Sequence, residues 1–360
     1  VGCNQHDFNL TVLDYLIKFT PSNRGGFFMI RYFIIFLYMA IPYLPLFDEI
    51  DRIGSQSLIL SSLNVLSIGL IFYQKKQNDF FDLFRKKEII FYGLFIVSII
   101  LSSVKAINLT EFSIEFFRAI SYFIALLVFL TLFREEKYRN YIIWLMLFFI
   151  TLDILALLLQ FMQGLPILGF TGNKNIGALS LALKLNFLFY IINKKLSVYV
   201  KTILFLLYSL GFYMLININS KAGILIYLLS LIYYLFFSFY FLKQNKTLLY
   251  NTLIGIFAIS IVSLVSNVQE NISVAVKNTI VNYQADAGNT QRIKYYKQVY
   301  ESFKEDPFFG VGFGNWKIVS IKYDAHEMID YIVQYFSHND FLQVLAETGI
   351  FGFIAYVMFF

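Results

Sequence analysis

Ser337-His338-Asn339-Asp340 brings an imidazole to the threshold of an apolar run, with Ser337 and Asp340 at the spacing of a helix capping box. His338 is then expected in the first turn of a helix, where the dipole favours the neutral ring, able to accept a proton. Two other apolar runs open on polar residues: Thr171-Gly172-Asn173-Lys174-Asn175 precedes one and Asn219-Ser220-Lys221 the other. Helix amino ends flanked by lysine attract anions, so convergence of these ends would make a pocket for a phosphate or diphosphate. Upstream, Arg292, Tyr296, Val299 and Phe303 recur at helical spacing after Asn289, a suitable cap. This pattern is that of an amphipathic helix near a membrane surface. Next comes Asp306-Pro307-Phe308-Phe309-Gly310-Val311-Gly312-Phe313-Gly314-Asn315-Trp316, whose glycines let a backbone approach a ligand closely. The same stretch also reads as a tight turn packing Phe308, Phe313 and Trp316 at the bilayer interface. No strand–helix unit surrounds these glycines, so a dinucleotide-binding loop is excluded.

Two charged residues lie within apolar runs. Asp153 and Lys184 are about nine or ten residues from neighbouring span ends, hence roughly 14 Å deep. Unpaired charge at that depth is costly, so a structural ion pair is expected. His326, Glu327 and Asp330 can share a helical face, but one histidine with two carboxylates is a poor metal set, and no metal is expected. Cys3 is the single cysteine, which excludes a disulfide framework.

The elements that carry these residues follow from composition. Of 360 residues, 58% are hydrophobic and 14% charged, with a mean hydropathy of +0.66. A soluble domain carries roughly 45–50% apolar and about 25% charged residues, so an all-α polytopic membrane protein is expected. The 42 Phe and 26 Tyr residues exclude disorder. Apolar runs long enough to span a bilayer lie near 27–46, 54–73, 88–105, 117–133, 140–162, 176–193, 199–217, 221–242 and 248–267, with another opening near 339, about ten in all. Residue 1 is Val and Phe360 lies inside an apolar run, so the chain is expected to be truncated and to lack its last helix or helices. Without an internal repeat or Pro-rich linker, residues 1–360 read as a single membrane domain.

The +6 net charge does not point to nucleic acid, because the cations cluster between apolar runs as topology signals. With the N-terminus cytoplasmic, the inner segments hold Lys18 and Arg24, then Lys75, Lys76, Arg85, Lys86 and Lys87, then Arg134, Lys137 and Arg139, then Lys194 and Lys195, then Lys243 and Lys246. The outer short loops hold only Arg52, Lys105 and Lys174, with Arg118 and Lys221 at helix edges. Residues 268–338 then form one long outer loop, and loops of that length are usually functional.

The Arg292-led helix, the Gly310–Trp316 stretch, His338-Asn339-Asp340-Phe341-Leu342 and Glu347-Thr348-Gly349-Ile350-Phe351-Gly352 together resemble the O-antigen ligase and O-antigen polymerase (Wzy-type) superfamily. Gly172–Asn175 is similar to its Asn-x-Asn element, and Ser220-Lys221-Ala222-Gly223 to its Ser-Arg-Gly/Ala element, with Lys where Arg is usual. That change keeps the charge and removes the bidentate fork. The resemblance covers roughly residues 140–360 with motifs.

What the resemblance implies is a membrane glycosyltransferase of GT-C-related architecture in the bacterial inner membrane. Its long loop, containing amphipathic helices, would be periplasmic. Its partners would be an undecaprenyl-diphosphate-linked glycan donor, a lipid or glycan acceptor such as lipid A–core, and the bilayer. No metal or nucleotide cofactor is implied. Residues and resemblance together assign His338 as general base and Arg292 and Lys221 to the diphosphate. Asn173, Asn175, Asn339, Gly312 and Trp316 are assigned to substrate binding. A polymerase extending a lipid-linked glycan is the alternative. A polysaccharide flippase is a further one, disfavoured because the informative residues sit at the outer surface rather than at the midplane.

Overall fold

The structure is a computed structural model that describes residues 25–44, 54–192, 196–240, 287–324 and 336–360. All its longer elements are helices: α1 (Gly25–Ala40), α2 (Gly54–Tyr73), α3 (Gln77–Phe81), α4 (Lys87–Ser102), α5 (Leu109–Phe133), α6 (Glu136–Met162), α7 (Lys174–Ile192), α8 (Val198–Asn217), α9 (Lys221–Tyr240), α10 (Ala287–Glu305), α11 (Trp316–Asp324) and α12 (Asp340–Phe359). Among the described residues, seven helices are long and apolar enough to cross a bilayer, namely α2, α4 to α8 and α12. Shorter apolar stretches, Met29–Tyr43 and Lys221–Tyr233, accompany them. The protein is a multi-pass, all-helical membrane protein. The expected span at 248–267, the loop before Ala287, and His326, Glu327 and Asp330 lie outside the described residues.

One span starts earlier than its apolar run. α5 begins at Leu109, not near 117, because the Asn108 side chain accepts hydrogen bonds from the N–H groups of Thr110 and Glu111 (2.9 and 3.2 Å). The charges that disguise its first turns are paired: Glu115 and Arg118 stand one turn apart, 2.7 Å between Oε1 and NH1. α6 likewise begins at Glu136, ahead of the apolar run at 140.

The helices group into two compact units. The first combines residues 1–45 with 140–276, the second residues 46–139 with 277–360. In the first, Ile150, Ile154, Leu181, Leu185, Tyr208 and Leu215 are among the residues forming the core between α6, α7, α8 and α9. Two polar contacts join helices across it: the Tyr208 and Tyr227 hydroxyls meet, and Asn186 Nδ2 donates to Ser230 Oγ at 2.7 Å. Such contacts are a recurrent glue where the surroundings are as apolar as the side chains. In the second unit, α4 packs along α12 through Phe95, Ile99, Val344 and Ala355. A Cβ on Gly352 would stand 2.7 Å from Ser98 Oγ, so the two backbones run close together.

Several cations at the basic end of the second unit are paired. Lys76 and Lys137 both bind Glu135, and Arg134 binds Asp79 at 2.9 Å. Burial pushes the Glu135 carboxyl up, but the hydrogen bonds from Lys76 and Lys137 outweigh it and hold the group at about 2.

Candidate functional site

In the second unit the glycine-rich stretch binds this chain's own backbone. Gly310, Gly312 and Gly314 all have positive φ (66°, 96° and 74°). They turn the segment so that Val311 N–H donates to Ala346 O (2.9 Å) and Gly312 N–H to Glu347 O (3.0 Å). The receiving helix is broken at that point: Gly349 has φ 68° and ψ −167°, and Ile350 N–H donates to Pro307 O at 2.9 Å. A Cβ on Gly310 would lie 2.5 Å from Ala346 O, and one on Gly312 2.6 Å from Ala106 Cα. The glycines are therefore required by backbone meeting backbone.

The same segment is clamped to the α4–α5 turn, at the end of the second unit opposite Lys76 and Glu135. Asn315 is wholly buried; its Oδ1 accepts Asn108 N–H (2.7 Å) and its Nδ2 donates to Asn108 O (3.3 Å). Phe313 N–H donates to Ser102 Oγ at 3.1 Å. Ion pairs Lys105–Asp306 (2.6 Å) and Lys317–Glu111 (2.5 Å) flank these contacts. Trp316 is wholly buried beside Val299 and Ala346. Its indole lies inside the protein, and Gly312 N–H is engaged with Glu347.

α10 starts at Ala287, so Asn289 lies inside its first turn and does not cap it. Its buried face comprises Tyr295, Gln298, Val299 and Ser302, whereas Tyr296 and Phe303 are half-buried at its edge. The stripe expected from apolar spacing shares only Val299 with that face, because the polar Gln298 and Ser302 are buried on it. Arg292 is exposed, one turn before Tyr295.

His338 also sits differently from the capping-box reading. The cap is Asn339, whose Oδ1 accepts Leu342 N–H at 3.3 Å, and α12 begins only at Asp340. Ser337 instead closes a small turn, its Oγ donating to Asn339 O (2.9 Å) and accepting Asn339 N–H (3.4 Å). His338 lies in that turn, ahead of the helix, with φ 58°. A non-glycine residue there carries about 1–3 kcal/mol of strain, which the surroundings must offset. Its exposed ring stacks on Tyr295, centroids 5.8 Å apart and planes at 22°. Tyr295 thus links His338 to the helical face that bears Arg292. Apolar spacing singles out Tyr296, whereas the ring that meets His338 belongs to the neighbouring Tyr295.

In the first unit, α7 and α9 lie side by side and parallel. Asn173 caps α7 by accepting Asn175 N–H (2.9 Å) and Ile176 N–H (3.4 Å). Asn175 Oδ1 accepts the Ser220 hydroxyl (3.0 Å), and Ser220 Oγ accepts Gly223 N–H (3.3 Å) as the α9 cap. Gly223 lies so close to Ala178 that an added Cβ would be 2.5 Å from the alanine Cβ. Two positive helix ends are thereby paired, with Lys174 and Lys221 exposed as the first residue of each. Deeper in this unit, Asp153 and Lys184 form an ion pair, and Tyr43 OH donates to Asp153 Oδ2 at 2.7 Å. The Tyr43 ring stacks on Phe149, centroids 4.6 Å apart. Among the described residues no group of three or more His, Cys, Asp or Glu side chains is arranged to hold a metal ion.

Residues 203–357 match the family model of O-antigen ligases. That segment is similar to the O-antigen ligase and polymerase superfamily. No curated protein and no solved structure matches the chain. The matched segment opens inside α8 and closes just short of the end of α12, so it contains Lys221, Arg292, the glycine-rich stretch and His338. Asn173, Asn175, Asp153 and Lys184 precede it. The match supports membrane glycosyltransferase-like activity in general.

Proposed function

We propose that the protein transfers a glycan from undecaprenyl diphosphate to an acceptor hydroxyl, in the manner of an O-antigen ligase acting on lipid A–core at the periplasmic face. The observation that supports this reading is the exposed His338 ring, held in a strained turn against the helix that carries Arg292. His338 takes the proton of the acceptor hydroxyl as its oxygen attacks the anomeric carbon. The bond from that carbon to the diphosphate oxygen breaks, and undecaprenyl diphosphate departs with its negative charge stabilised by Arg292. In the first unit, Lys221 and the amino ends of α7 and α9 bind an anionic group of the lipid-linked substrate. Asn173 and Asn175 act there chiefly as cap and bridge that fix these helix ends, while in the second unit Asn339 caps α12 and Gly312 and Trp316 hold the loop in place.

The test is complementation of a bacterium lacking its own ligase with the full-length protein, followed by gel analysis of surface glycan. A ladder on lipid A–core, lost in His338→Ala and Arg292→Ala despite normal insertion, is the expected result. Longer chains left on the lipid carrier would make the enzyme a polymerase. Undiminished transfer in His338→Ala would remove the base assignment.

A further inference from the structure

The His338 turn is held by a chain of side chains that runs back to the glycine-rich stretch. Trp316 N–H donates to Glu347 Oε1 at 3.2 Å, and Gln343 Nε2 donates to the same oxygen at 3.4 Å. Gln343 Oε1 accepts Ser337 N–H at 3.3 Å. Glu347 is buried, so its carboxylate has few alternatives to these donors. An amide whose NH2 group is held by a carboxylate and whose oxygen is held by a backbone N–H cannot flip without losing both bonds. The backbone immediately before His338 is fixed by that amide, and the imidazole plane is fixed from the other side by Tyr295.

We propose that Gln343 and Tyr295 are positioning residues for His338: Gln343 sets the left-handed turn, and the Tyr295 ring sets the imidazole plane. The inference rests on His338 being the general base. Glu347 and Trp316 complete the chain, so the docked glycine-rich stretch determines where the base points. A proton acceptor must meet the acceptor hydroxyl within hydrogen-bond reach, and small displacements of it are costly to rate. Binding of the lipid-linked donor does not depend on that orientation.

The experiment measures kcat and donor KM separately for the full-length protein in membranes, using lipid-linked donor and purified acceptor. Gln343→Met and Tyr295→Leu are expected to lower kcat about tenfold while donor KM stays within about twofold, and Tyr295→Phe, which keeps the ring, is expected to stay near wild type. Unchanged kcat in Gln343→Met and Tyr295→Leu, with His338→Ala inactive, would overturn the positioning role and leave the base assignment standing. A fall in kcat with an equal rise in KM, shared by Tyr295→Phe, would also overturn it by marking a general loosening of the fold. Full kcat in His338→Ala would remove the base assignment and this inference with it.

Discussion

Gly223 in the first unit and Gly310, Gly312 and Gly349 in the second serve close approach by different physics. Gly223 has ordinary helical geometry and makes room for a side chain, the Ala178 methyl, where α7 and α9 run together. The glycines of the second unit have positive φ and make room for main chain, so that a loop can hydrogen-bond a broken helix. The first device yields only if α7 and α9 move apart as whole helices, since an alanine Cβ is fixed to its backbone. The second yields only by breaking the bonds between loop and helix, because moving a backbone moves every bond it makes. A short glycine motif beside a charged residue therefore does not report a ligand loop by itself; what the glycine touches decides.

The largest effect should come from Gly349→Ala, which meets both the forbidden conformation and the Phe308 backbone. We expect a loss of about 4 kcal/mol or more, read as little folded protein after detergent extraction. Recovery of wild-type amounts would put the two devices on equal footing. Gly223→Val should be milder, about 1–3 kcal/mol from overpacking, lowering the melting temperature while leaving a folded protein. Asn315→Ala leaves the Asn108 backbone groups without their buried partner and should cost about 1–3 kcal/mol, measured the same way. A null result there would show that the ion pairs alone clamp the loop.

The smallest effect concerns the opposite end of the second unit. The Glu135 carboxyl is lowered from 4.5 to about 2 in the fold, so its contribution is complete above the unfolded value and fades as pH falls from about 4.5 towards 2. Glu135→Gln should lower stability modestly at pH 7 and by a smaller amount at pH 3, as seen in melting curves across that range. An equal loss at both values would mean that the group acts by packing.

Much of the helical framework was legible because a bilayer imposes a length and a composition that a sequence displays directly. The run at 54–73 coincides with α2, whereas α5 was shortened because Glu111, Glu115 and Arg118 looked like loop until their pairing was visible. The site was legible only in part. His338, Arg292 and the glycines announce themselves by type, but the partner of the glycines lies at Ala346–Gly349, and backbone pairing over that separation leaves no periodic trace. The His338 turn was misassigned because Ser337 and Asn339 are both good caps, and sequence alone does not say which one faces the helix. Tyr295 and Tyr296 are adjacent and identical, so only a one-residue rotation of α10, about 100°, separates the supporting ring from its neighbour.

The break in α12 has a consequence for how the protein is made. A helix whose hydrogen-bond ladder stops at Gly349 exposes polar backbone that lipid cannot satisfy, and the residues around Pro307 and Val311 supply the missing partners. Those residues precede α12 in the chain. The segment from 340 onward is thus lipid-compatible only once the stretch at Pro307–Gly312 has folded against it, so folding of that stretch and settling of α12 form one cooperative step. A defect in the loop would surface as a helix that fails to stay in the membrane.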